Sequence, residues 1–159
     1  MSQKLTHLDE SGRPHMVDVG DKAITHRVAT AEAWVRMSPE AFDAITSGGV
    51  EKGDVLRIAE MAGIQGAKRT SDLIPLCHPL PIDAVQVRAL PESGSIHVVA
   101  TVSAHWRTGV EMEALAAVNA AALTVYDMTK AIDRAMVIDG IRLLEKTGGR
   151  SGEWTAPDR

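Results

Sequence analysis

From residue 24 to 37 the chain alternates, with Ala29, Ala31, Ala33 and Val35 interleaved with Val28, Thr30, Glu32 and Trp34. A period of two predicts a long strand. Ser38-Pro39-Glu40 then supplies a capping serine and a proline at the first helical position, and Gly48-Gly49 ends the short helix they start. Asp54 can cap a second helix, whose apolar face runs through Leu56, Ile58, Ala59 and Ala62. Gly63 and Gly66 are expected to interrupt or kink that helix before Ala67-Lys68-Arg69. Beyond it, Pro75, Pro79 and Pro81 should hold Leu76-Cys77-His78 extended. Residues 82–90 and 95–106 alternate again, joined by the hairpin signal Pro91-Glu92-Ser93-Gly94. A long helix follows at about 109–135, and Val137 to Leu144 reads as a closing strand.

The order β, αα, β, β, α, β predicts an α+β layer, with a sheet on one side and helices on the other. No Gly-rich βα turn of the dinucleotide-binding kind is present. With no internal repeat or linker, residues 1–159 read as a single domain. A polar N-terminal arm (about 1–22) should lie on the surface or on a neighbour, and the Gly-rich tail (about 147–159) is flexible by composition. The net charge of −4 provides no general field for polyanions, so an anionic ligand needs a local cluster of Lys and Arg. Phe42 and Tyr126 are alone of their types, which argues against a base-stacking surface for RNA. Cys77 is the one cysteine, so neither an internal disulfide nor a Cys-rich zinc site can form. The segment Met1 to His7 lacks the apolar stretch of a signal peptide, and no run reaches the ~18 uncharged residues of a membrane span. A cytoplasmic location is expected.

Three polar clusters interrupt the apolar middle: Asp72 to Leu80, Thr108 to Glu113, and Tyr126 to Lys130. Ionisable groups among residues that favour burial have shifted pKa values and collect at active sites. Thr108 and Glu111 fit a capping box, which leaves Glu111 open to either a capping or a ligand role. Glu113 lies beyond the box and is not explained by it. The stretch Ala114 to Ala122 is apolar nearly all round, which predicts burial on every side and a second subunit over the face turned from the sheet. Asp127 and Lys130, three apart, can pair on one face, and Met128, Ala131 and Ile132 around them suggest partial burial. Glu113 and Asp127 are about 21 Å apart along the helix and on nearly the same side. One small reacting group cannot touch both within a chain, which favours sites shared across an oligomer.

His78 sits in a loop stiffened by prolines, which suits a residue whose position matters. Adjacent residues of an extended segment point apart, so Cys77 should not meet His78 and reads as a small buried hydrophobe. His97 and His105 share a strand face opposite Val98, Ala100 and Val102 and are expected to be solvated, too few for a metal site. Arg27, Lys52 and Lys68-Arg69 are the cationic candidates, each singly a plain surface charge. Lys52 stands just ahead of the helix capped by Asp54, where backbone amides and an ammonium together can receive a phosphate. Lys68 precedes the Asp72–His78 segment closely enough to share its site.

Taken together, Met16 to Val19, Lys52-Gly53-Asp54, Ala62 to Thr70, Asp72 to Leu80, Thr108 to Leu115 and Tyr126 to Ala131 resemble the motifs of one family. It is the cyclic pyranopterin monophosphate synthase family, molybdenum cofactor biosynthesis protein C (MoaC), and the similarity runs from about Leu5 to Gly152. The resemblance implies a ferredoxin-like α+β fold and a homohexamer, a trimer of dimers with sites at the dimer interface. It implies a lyase that converts 3′,8-cyclo-7,8-dihydro-GTP to cyclic pyranopterin monophosphate and releases pyrophosphate. It assigns catalytic roles to Asp127, Lys130, Lys52 and His78. It assigns substrate contacts to Leu76, Cys77, His78, Glu111, Met112, Glu113 and Lys68, with Arg27 reaching in from the neighbour. The chain departs from the common pattern at Arg107, where lysine is expected, and at Val50-Glu51, where Glu51 alters the field beside Lys52. Moving protons at several ring atoms needs several tuned acids and bases, and a leaving pyrophosphate needs cations. Three lysines and an arginine supply such charge, so no metal site and no cofactor are required, and Mg2+ travelling with the triphosphate is compatible with that set. A non-catalytic nucleotide-binding ferredoxin-like module and a purely structural oligomer are the alternatives.

Overall fold

The computed structural model describes residues 7–9, 11–149 and 152–157. Strand β1 (Thr25–Arg36) is followed by helices α1 (Pro39–Thr46), α2 (Val55–Lys68) and the single turn α3 (Thr70–Leu73). Strands β2 (Ala84–Glu92) and β3 (Ser95–Trp106), helix α4 (Glu111–Thr129), and strands β4 (Val137–Thr147) and β5 (Trp154–Thr155) complete the order. The sheet runs β2-β3-β1-β4-β5 with every neighbour antiparallel. The first four strands and the helices between them thus form a ferredoxin-like α+β unit.

Local signals act where expected. Ser38 accepts a hydrogen bond from the Ala41 amide at 3.3 Å, with Pro39 opening α1. Asp54 accepts from the Arg57 amide at 3.1 Å and caps α2. Ser93 and Gly94 both have positive φ (48° and 78°), the two-residue turn whose twist suits a hairpin. Alternation sends Ala29, Ala31, Ala33 and Val35 of β1 and Ile96, Val98, Ala100, Val102 and Ala104 of β3 into one core. Against them lie Ala114, Ala117, Val118, Ala121, Ala122 and Val125 of α4.

Four expectations need correction. Gly63 and Gly66 do not break α2. Gly66 faces α4, where a Cβ would stand 2.6 Å from the Ala120 Cβ and 2.8 Å from the Ala116 carbonyl oxygen, and Gly63 faces β2 and α4, where a Cβ would stand 2.9 Å from Val87 Cγ1 and 3.1 Å from the Ala117 carbonyl oxygen. Close approach of α4 and β2, a long-range demand, selects them. Helix α4 ends at Thr129 rather than near 135, and within the single chain Leu123 is 60% exposed and Met112 37% exposed, a face left open where a second subunit was expected. Leu76-Cys77-His78 is not uniformly extended, because the Cys77 amide closes a turn on the Ile74 carbonyl at 3.0 Å with Pro75 inside it. His97 is not solvated. Its ring stacks on Trp34 at 4.0 Å and bonds Glu32 at 2.7 Å, while Arg142 takes the other oxygen of Glu32 at 2.6 Å. That network covers the outer face of β1 and explains how Glu32 can be buried there.

The expected tail falls partly on residues 150, 151, 158 and 159, and the expected arm partly on residues 1–6 and 10, all outside the described residues. Where described, the tail returns as β5 beside β4, with the Ala156 amide bonded to the Leu144 carbonyl at 2.7 Å. Among the described residues no helix is long and apolar enough to cross a membrane.

Candidate active site at the two ends of helix α4

At the N-terminal end of α4 opens a cavity of about 790 Å³. Its walls are the Leu76–His78 turn, the first turn of α4 with Glu111, Met112 and Glu113, and the stretch Arg107–Gly109 after β3. Val17, Val19 and Lys22 of the arm close one side, and Arg27 and Lys146 come from β1 and β4. Seven residues singled out in the sequence therefore meet: Arg27, Leu76, Cys77, His78, Glu111, Met112 and Glu113.

The capping box does not form. The N-cap is Val110, with no side-chain cap, and Glu111 instead accepts from the Lys146 ammonium at 2.8 Å. Either bond would be charge-assisted, and the full positive charge of the ammonium adds an attraction that a backbone amide lacks, so the longer-range partner wins. Glu113 is 4% exposed, and burial, with the neighbouring Glu111 charge adding to it, pushes its pKa up to about 7 against the opposing pull of its own backbone amide. A carboxyl poised there can both give and take a proton at neutral pH. Burial first, and then the Glu113 charge, push the Cys77 thiol up as well. Cys77 is thus held as a thiol and is a poor nucleophile. Cys77 and His78 line the same cavity rather than opposite sides, just after the turn that the Cys77 amide closes on the Ile74 carbonyl.

Lys68 stands one step away. It lines a smaller cavity of about 210 Å³ with Thr70, Ser71 and Ile82, and His78, Leu80 and Glu113 form the partition between the two.

The remaining residues gather at the other end of α4. The Lys130 ammonium bonds Asp127 Oδ1 at 2.6 Å. Lys52 reaches the Asp127 main-chain carbonyl at 3.0 Å and its Oδ2 at 3.5 Å. Lys52 thereby satisfies one of the last carbonyls of the helix, where a cation also complements the helix dipole. Its ammonium is accordingly engaged at the end of α4 rather than standing free over the start of α2. The Lys130 bond, followed by the Lys130 and Lys52 charges, holds the Asp127 carboxyl below the usual carboxylate range, so it stays anionic at neutral pH. The expected partial burial is absent: the side chains of Asp127 and Lys130 are 60% and 50% exposed. The last turn of α4 sends Met128 and Thr129 inward and this pair outward.

Glu113 and Asp127 are separated by fourteen residues of continuous helix, about 21 Å. Within one chain the two groups do not meet. Within the single chain Arg27 lines the same cavity as the Leu76–His78 turn, whereas the resemblance implied that it reaches in from a neighbour. Arg107 and Lys146 were missed as site residues. Their places depend on strand register, with Thr25 opposite Trp106 and Ala29 opposite Lys146, and nothing local in the sequence announces it.

A ferredoxin-like sheet carrying a cation-lined pocket, with a near-neutral carboxyl at a helix start, defines a small-molecule site of the acid–base kind. The family model described as the MoaC family matches residues 16–149, and the chain belongs to that family. A protein of Novosphingobium aromaticivorans named cyclic pyranopterin monophosphate synthase is 57% identical over 154 residues, covering 97% of this chain and 98% of its own length. Proteins with the same name from Cereibacter sphaeroides (58% identical; 96% of this chain, 97% of that protein) and Herpetosiphon aurantiacus (56% identical; 96% and 94%) are similarly close.

Proposed function

We propose that this chain is a lyase of molybdenum cofactor biosynthesis that converts 3′,8-cyclo-7,8-dihydro-GTP to cyclic pyranopterin monophosphate with release of pyrophosphate. The observation that carries the proposal is the cavity itself, in a member of this family with relatives of that name at 56–58% identity. Its volume suits a nucleotide-sized ligand, and Leu76 to His78 with Met112 and Glu113 line it. Relatives this close bear an enzyme's name, which disfavours the non-catalytic nucleotide-binding alternative.

Each working site is built from two chains. The open stripe of α4 with Met112 and Leu123 takes a second copy, and an antiparallel α4 brings Lys52, Asp127 and Lys130 of that copy to the cavity of the first. Glu113 and His78 then move protons at the purine-derived rings from one side, and the Asp127–Lys130 pair does so from the other. Closing the cyclic phosphate takes a proton from the attacking hydroxyl and expels pyrophosphate, whose charge Lys52, Lys68 and Arg27 offset. The reaction needs no metal bound by the protein, and any Mg2+ enters on the triphosphate. The assembly is a homohexamer, a trimer of dimers, working in the cytoplasm.

The test is direct. Incubated with the cyclic dihydro-GTP, the purified oligomer should release pyrophosphate and form the tricyclic product. A folded oligomer that releases none is not this enzyme.

A further inference from the structure

Lys130 and Asp127 touch at 2.6 Å, yet both side chains are half-exposed, and an exposed ion pair does not hold its own geometry. The backbone beneath the pair has to fix it. That backbone is an excursion over the surface. Between buried Thr129 and buried Met136 the chain runs six residues, and of these only Asp133 is partly buried. The Ile132 and Asp133 amides both fold back on the Thr129 carbonyl, at 2.9 and 3.2 Å, so Lys130 sits inside a tight turn.

Asp133 turns both carboxylate oxygens on main chain. Its Oδ1 accepts from the Ala135 amide at 2.8 Å and closes the turn. Its Oδ2 accepts from the Ser38 amide, also at 2.8 Å, where α1 begins. The Ser38 bond first, and then the Ala135 bond, hold the carboxyl below the usual carboxylate range, so it is anionic at neutral pH. Bonds assisted in this way by a full charge are roughly twice as strong as neutral ones. Tyr126 adds a third tie, its hydroxyl donating to the Arg134 carbonyl at 3.1 Å.

The Ser38 bond reaches further than the turn. Helix α1 leads from Ser38 to a second turn, closed by the Gly53 amide on the Val50 carbonyl at 3.0 Å. That turn carries Lys52, which returns to Asp127. Asp133 thus fastens the segment that delivers Lys52 to the turn that delivers Lys130. We infer that Asp133 is a positioning residue, setting both lysines against Asp127, an assignment that rests on the acid–base roles given to those residues above. With both oxygens bonded to backbone amides, it acts through the lysines rather than on the reacting atoms.

Turnover of the cyclic dihydro-GTP by the intact oligomer, paired with acylation of its lysines by acetic anhydride and mass spectrometry, tests the assignment. Asp133→Ala should lower kcat at least about tenfold, because misplacing a reacting group by about 1 Å can cost about a hundredfold. KM should stay within about threefold, since the loss falls on the chemical step rather than on binding. Lys130 in that variant should be acylated several-fold faster, as a side chain released from one fixed bond is more accessible to the reagent. Lys146, equally paired but with Glu111 at the far end of α4, should be labelled as before. A merely structural role would loosen both lysines together, and that result overturns the assignment. So does an intact Asp133→Ala oligomer with kcat within about twofold of wild type, or a loss confined to KM. If Asp133→Ala does not assemble, Asp133→Asn decides. Its carboxamide keeps the shape but has one oxygen for two amides, so wild-type kcat and labelling there remove the clasp from the site. Should wild type release no pyrophosphate from the cyclic dihydro-GTP, the enzymatic reading falls, and the contrast in labelling alone decides whether Asp133 holds Lys130.

Discussion

Gly66 and Ala120 touch across the crossing of α2 and α4, where a Cβ on residue 66 would lie 2.6 Å from that of Ala120. Replacing Gly66 by alanine should therefore lower stability although alanine is the better helix former. The propensity gain is about 1 kcal/mol, whereas overpacking against backbone costs about 1–3 kcal/mol. The Ala116 carbonyl oxygen, 2.8 Å from the same point, cannot swing aside as a side-chain tip would. A denaturation midpoint for Gly66→Ala above wild type would show that the helices are free to move apart.

Buried Glu113 sets a pH dependence. Its pKa is raised in the folded state, to about 7, so the folded protein holds the proton more tightly than the unfolded chain does. Stability from this group is fully present below its unfolded value near 4.5 and is lost as pH rises towards 7. Glu113→Gln should accordingly be more stable than wild type at pH 8, with the advantage shrinking towards pH 4.5. Urea titrations at both ends of that range check it, and an equal offset at each pH would mean that the carboxyl is not the cause.

Cys77 offers a simple chemical probe, because the chain has no other thiol. Its raised pKa predicts alkylation by iodoacetamide at pH 8 at a rate well below that of free cysteine. Cys77→Ala should keep turnover within a few-fold of wild type. Loss of activity by orders of magnitude in that variant would restore the thiol as a reacting group.

Lys130→Ala should nearly abolish turnover with fold and assembly retained, since the side chain is half-exposed and supports nothing in the core. Retention of more than about a tenth of wild-type kcat, a barrier change of only ~1.4 kcal/mol, is incompatible with a central acid–base role for the pair.

Mixing inactive Arg27→Ala with inactive Lys130→Ala, after dissociation and reassociation, tests the shared site. Within one chain the two residues lie at opposite ends of α4; in the proposed shared site they come from different chains, so a minority of sites should regain both. Mixed oligomers that form and stay inactive would place the whole site within one chain.

How much of this was legible depended on how local each signal was. The alternation of β1, the Ser38-Pro39 start of α1, the Asp54 cap and the Ser93-Gly94 turn act over a few residues, and all were read correctly. Gly63 and Gly66 look like helix breakers because the partners that need their smallness, α4 and Val87 of β2, lie well beyond them in the chain. Glu111 looked like a capping residue because its partner, Lys146, is thirty-five residues away. His97 looked solvated because Trp34 and Glu32, which enclose it, come from another strand. The second polar cluster was recognisable from its acids, but its cations, Arg107 and Lys146, arrive through strand register.

Helix α4 is pinned at both ends, at Glu111 by Lys146 and at Asp127 by Lys52. An extra residue anywhere between would turn one end by about 100° and move it about 1.5 Å relative to the other, tearing one of the two anchors loose. A deletion would do the same in the opposite sense. The alanine-rich middle can exchange one small side chain for another of similar size with little consequence. Across descendants of this chain, therefore, insertions and deletions should be purged from this helix far more strictly than substitutions are.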